Sequence, residues 1–120
     1  MATPKTKPIS DKELQTRWLE RVHSGQFSLA VLGVGTIKVF GKAGDAPVAF
    51  PRIESLAALD TLEPDERWAV TYAEQVITQH QRQGRNVMAA VPGQATGAVS
   101  VQSFDPSREL HLVLSQIADG

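Results

Sequence analysis

The stretch from Glu63 to Gly84 carries the strongest structural instruction in the chain. Pro64 suits the first position of a helix, where its missing N–H costs nothing. Glu63, Asp65 and Glu66 crowd the positive end of the helix dipole, while Arg82 and Arg85 sit near the negative end. Ala69, Tyr72, Ala73, Val76 and Ile77 fall on one stripe at helical spacing, flanked by Trp68, and Gly84 supplies the stop. The pattern predicts a helix over 64–83. Trp68, Tyr72, Val76 and Ile77 would face a sheet, with Ala69 and Ala73 allowing close approach.

A second helix is predicted over 11–23. Ser10-Asp11-Lys12-Glu13 matches a capping box, in which Ser10 accepts an orphan backbone N–H and Glu13 reaches back to the cap. Leu14, Trp18, Leu19 and Val22 follow at helical spacing, and Gly25 ends the run. Residues 1–9 hold two prolines and no residue worth burying, so they read as a disordered tail ahead of one domain over 10–120.

Elsewhere the period is two. Phe27–Leu32 and Thr36–Phe40 alternate around Gly33-Val34-Gly35, which reads as a hairpin turn. Val48–Phe50 forms a short strand ended by Pro51, and a helical turn is expected around Ser55–Leu59. Strands are predicted at Asn86–Val91 and Ala98–Phe104, with a turn at 92–97. Asp105-Pro106-Ser107-Arg108 fits a type I turn. The last segment fits a helix through Leu110, Val113, Leu114 and Ile117, or a strand through Leu110, Leu112 and Leu114. The strand is preferred, because a sheet of short strands needs another member to close a core. On that strand His111 lies opposite the leucines and is expected at the surface. The fold class is therefore α+β: a two-layer sandwich whose mixed or antiparallel sheet packs on the two helices.

Composition narrows function mainly by exclusion. The 120 residues are 42% apolar and 21% charged, with a formal net charge of −1, which is ordinary for one globular domain and unlike a globally basic nucleic-acid binder. No cysteine is present, so thiolate chemistry, disulfides and a zinc finger are excluded. No apolar run is long enough to span a bilayer and no signal peptide is read at the start, so the expected setting is the cytoplasm.

Motifs that would carry chemistry fail on inspection. Gly33-Val34-Gly35 lacks the third glycine and the following helix of a dinucleotide fingerprint. Gly35 to Lys42 has five spacer residues where a P-loop has four, and Ala43 where a magnesium-binding hydroxyl belongs. His23, His80 and His111 show no metal-ligand spacing, and there is no Gly-x-Ser-x-Gly elbow. The acids at 63–66 are explained by the helix dipole. Lys5, Lys7, Lys12, Arg17 and Arg21 could contact phosphates, but Glu13 and Glu20 intermix with them. No cofactor or metal is expected.

The charge distribution is more informative than its sum. From Asn86 onward the only charged side chains are Asp105, Arg108, Glu109 and Asp119. Such a stretch is buried sheet or a surface that meets a partner. The expected function is a non-enzymatic interaction or regulatory module, acting through Leu112, Val113, Leu114 and Ile117 on a protein partner or a second copy. A nucleic-acid accessory protein with a basic N-terminal arm, and an enzyme whose site is assembled from dispersed residues such as His80 or His111, are the alternatives.

The order hairpin, long helix, further strands resembles the β-grasp arrangement of ubiquitin-like proteins. Leu110-His111-Leu112-Val113-Leu114 with a terminal Gly120 is similar to the last strand and tail of that family. The resemblance implies a β-grasp sheet and a C-terminus that is activated and joined to an amine or sulfur. Asp119 stands where that family has its penultimate glycine. A ferredoxin-like sandwich is the alternative topology.

Overall fold

A computed structural model describes residues 10–39, 47–90 and 99–114. The predicted tail at 1–9, residues 41–46 of the predicted loop at 41–47, the whole predicted turn at 92–97 and residues 115–120 lie outside the described residues. In chain order the elements are α1 (Asp11–Ser24), β1 (Gly33–Val39), β2 (Val48–Arg52), a 3-10 turn (Leu56–Thr61), α2 (Pro64–Arg82), β3 (Asn86–Ala90), β4 (Val99–Ser100) and β5 (Leu110–Leu114).

Both helices form where local chemistry places them. Ser10 caps α1 by accepting from the Glu13 N–H at 3.2 Å. Glu13 does not reach back as the capping-box pattern implied: its carboxylate takes Arg17 at 2.8 Å, one turn on. Gly25 closes α1 at φ 74°, a left-handed conformation that glycine adopts without steric cost. In α2, Glu66 accepts from the Glu63 N–H at 3.0 Å and so satisfies one orphan donor of the first turn.

The five strands form one mixed sheet in the order β2-β1-β5-β3-β4. β1 runs antiparallel to β2 and parallel to β5, and β3 is antiparallel to both β5 and β4. The α+β two-layer architecture is the one expected. The ferredoxin-like alternative calls for a helix before the final strand, and residues 101–109 are loop and turn instead. The last segment is a strand at the sheet centre, not a helix.

The first hairpin differs from expectation. Gly33-Val34-Gly35 is no turn: β1 runs straight through it, and residues 27–32 form an irregular approach. The partner of β1 is β2, with Gly35 opposite Phe50. A Cβ at Gly35 would stand 2.3 Å from Phe50 Cζ, so the glycine makes room for a ring. Pro51 does not end β2 but lies inside it. An edge strand tolerates proline, and the missing N–H helps to blunt that edge. Trp18 blunts it further, its indole N–H donating to the Ala49 carbonyl at 3.0 Å. The strand expected over 98–104 shrinks to Val99–Ser100, after which the chain turns to place Phe104 in the core.

One core lies between α2 and the sheet. Val70, Ala73 and Ile77 of α2 meet Ile37, Phe50, Val87 and Val113, closed by Ile53, Leu62 and Phe104. The inward stripe of α2 is Glu66, Ala69, Val70, Ala73 and Ile77. Tyr72 is 42% exposed, contrary to its expected inward position, and stacks at 5.2 Å on the partly exposed Trp68. A cylindrical helix comes nearest a sheet along one line of its surface, so the small alanines take the close approach and the large rings flank it.

Candidate interaction face

Strand alternation divides β5 into two sets with different fates. His111 and Val113 are fully buried, level with Ile37, Val39, Val87 and Ala89 on neighbouring strands. Leu110, Leu112 and Leu114 point the other way and are partly exposed. They align with Thr36 and Lys38 of β1 and with Ala90, Met88 and Asn86 of β3. None of these side chains belongs to the core cluster. α2 packs on β2 and β3 through the inner set, and α1 packs on α2, so both helices serve one side of the sheet.

The outer set is therefore a partly exposed apolar strip that neither helix covers among the described residues. Val34, Leu110, Leu112, Leu114, Met88 and Ala90 make up its body, and Lys38 is the charged side chain among its described strand residues. Leu32, 52% exposed and two residues before Val34, extends the line of β1. Pro51 is the buried exception, next to Arg52 and Ile53, which are gripped by the turn at 106–107. Of the four residues anticipated as a partner surface, Leu112 and Leu114 lie on this face. Val113 is at 0% exposure in the core and cannot contact a partner in the folded chain. Ile117 lies outside the described residues.

The acids of α2 have a role that their positions alone did not reveal. Asp65 and Glu66 are 4% and 0% exposed. Arg21 of α1 donates to Asp65 at 2.6 Å and approaches Glu66 at 3.5 Å. Hydrogen bonding and charge from Asp65 raise the Arg21 pKa further above its usual value, against a smaller lowering by burial. Glu66 also accepts from the N–H and hydroxyl of Ser28, at 2.9 and 2.6 Å. This network fastens α1 and the 26–28 segment onto the start of α2. The adjoining cleft, about 580 Å³, is lined by Arg17, Glu20, Arg21, Ser24, Gln26, Glu63, Pro64 and Asp65. Its arginines are already paired with Glu13, Asp65 and Glu66, which makes it a structural clasp.

The histidines are scattered. His23 is exposed, and His80 sits 2.6 Å from Arg85 through Nδ1. His111, expected at the surface, is enclosed by Phe50 and Phe104 at ring distances of 5.8 and 5.1 Å. Burial holds its pKa down to about 4, although Asp105 opposes that shift and Arg108 adds to it. Among the described residues no group of His, Asp or Glu is arranged to hold a metal ion, and no helix is long and apolar enough to cross a membrane. Comparison with protein-family models, with curated proteins and with solved structures gave no match.

Proposed function

We propose that this chain is a non-catalytic protein-interaction module whose outer sheet face takes a protein partner. The observation that carries the reading is the leucine row Leu110, Leu112 and Leu114 on a face that neither helix covers. Three strands at about 4.8 Å spacing and about 17 Å length give roughly 250 Å² of strip. A stable interface takes about 800 Å² from each partner, so the contact is small and reversible rather than an obligate dimer. The strip suits an apolar segment of another protein, with Lys38 at its margin favouring an acidic neighbour. It is too poor in cations to serve nucleic acid. Conjugation through the C-terminus forms no part of this reading, given Asp119.

A photo-crosslinking residue at position 112 tests it, with position 75 on the solvent side of α2 as control. In extract of the native host, position 112 is expected to give one discrete adduct that excess unlabelled chain suppresses, and position 75 none. An adduct of twice the chain mass would identify the occupant as a second copy. No adduct from 112 beyond that from 75 would refute the proposal.

A further inference from the structure

The segment Phe104–Glu109 crosses from β4 to β5 and is tied down at several points. The Asp105 N–H donates to His111 Nε2 at 3.2 Å. Asp105 in turn organises the turn: its carboxylate accepts from the Ser107 N–H and hydroxyl at 3.0 and 2.7 Å, and from Arg108 at 3.1 Å. Arg52 holds the Ser107 carbonyl through two donors at 3.1 and 3.0 Å. Phe104, 6% exposed, closes the core beside the His111 ring.

His111 can accept from Asp105 only while Nε2 is unprotonated. Its one proton is then on Nδ1, which is buried and has no partner among the described residues. A second proton would set donor against donor at Asp105 and leave a charged ring among apolar groups. The facing residues from β1, β2 and β3 are Ile37, Phe50 and Ala89, and α2 presents Val70, Ala73 and Ile77 to the same core. None of these side chains carries a negative charge or a hydrogen-bond acceptor to pair with an imidazolium. The charged groups that act on the ring are Asp105 and Arg108, both on the segment itself. Water reaches His111 with least disruption if that segment lifts.

We propose that Phe104–Glu109 is an acid-released strap, latched by neutral His111 and freed when the imidazole takes a proton, while α2 stays packed on the sheet. Release bares Phe104 and takes apart the groove that Phe104 and Pro106 form with Leu56 and Val101. The latched ring titrates near 4 and a free imidazole near 6.5. Between those values the opening constant rises about tenfold for each pH unit lost.

Amide hydrogen exchange on the full chain, corrected for intrinsic rates, reads this directly. Protection at Asp105 should fall about tenfold per unit from pH 6 to 4, while protection at Ile77 should change much less. In His111→Gln, a non-titrating side chain whose oxygen can still accept from Asp105, the fall should vanish. Parallel loss at Asp105 and Ile77 would mean global unfolding and overturn the proposal, as would unchanged protection at Asp105 or persistence of the fall in the variant. If His111→Gln does not fold, the His111 ring shifts of the native chain decide: titration near 4 supports the latch, and titration near 6.5 overturns it.

Discussion

Val113→Asp is expected to leave the chain unfolded under conditions where the parent is folded. Val113 is central in β5, paired with Val39 on one side and Val87 on the other, and is fully buried. The substitution removes packing worth about 1.5–3 kcal/mol and places a carboxylate where no described side chain of the core can pair with it. Domains of this size are stable by about 5–15 kcal/mol, and the desolvation of an unpaired charge consumes several of these. Loss of cooperative thermal unfolding and of near-ultraviolet dichroism would be the observed signs. A folded Val113→Asp protein would reverse the inner and outer sets of β5.

The second large effect belongs to Glu66→Ala, expected to destabilise by about 3–5 kcal/mol in denaturant titration. Three donors lose their acceptor at once, the Ser28 N–H, the Ser28 hydroxyl and the Glu63 N–H, and Arg21 loses an ion-pair neighbour at 3.5 Å while keeping Asp65. The site is at 0% exposure, so water cannot replace the carboxylate without opening the clasp. Glu13→Ala is the contrasting case. Its pair with Arg17 is about half exposed on both sides, and such i, i+4 pairs contribute about 0.3–0.5 kcal/mol. Equal losses in the two variants would show that the clasp is solvated.

The difference between these two glutamates marks where sequence reasoning ran out. Capping and helical period are local, so both helices were legible to within a residue or two. The partners of Glu66 are not local: Ser28 is 38 residues away and the Arg21–Asp65 pair spans 44. From position alone, all acids in that first turn look like dipole decoration. Gly35 was misread for a related reason. A glycine between alternating residues signals a turn, but here it faces the Phe50 ring on another strand.

For β5 the sequence established the alternation and left open which set was buried. Hydrophobicity favoured placing the leucines inward and His111 outward. Tertiary contacts decide otherwise, because the aromatic rings of Phe50 and Phe104 and the Asp105 N–H give an imidazole an acceptable buried site. The candidate face was thus half legible: Leu112 and Leu114 were singled out, but Val113 was grouped with them although adjacent strand residues face opposite ways.

The most direct measurement is Leu112→Asp, read for stability and for the position-specific contact together. The outer face is partly exposed, so the new carboxylate stays in water and the melting temperature should fall by less than about 5 °C, which corresponds to roughly 1 kcal/mol. The same charge in the middle of the leucine row should suppress the crosslinked adduct, placed from position 114, by at least about tenfold. A melting temperature lowered by 15 °C or more would show that Leu112 is core, and a stable variant with an undiminished adduct would show that partners bind elsewhere.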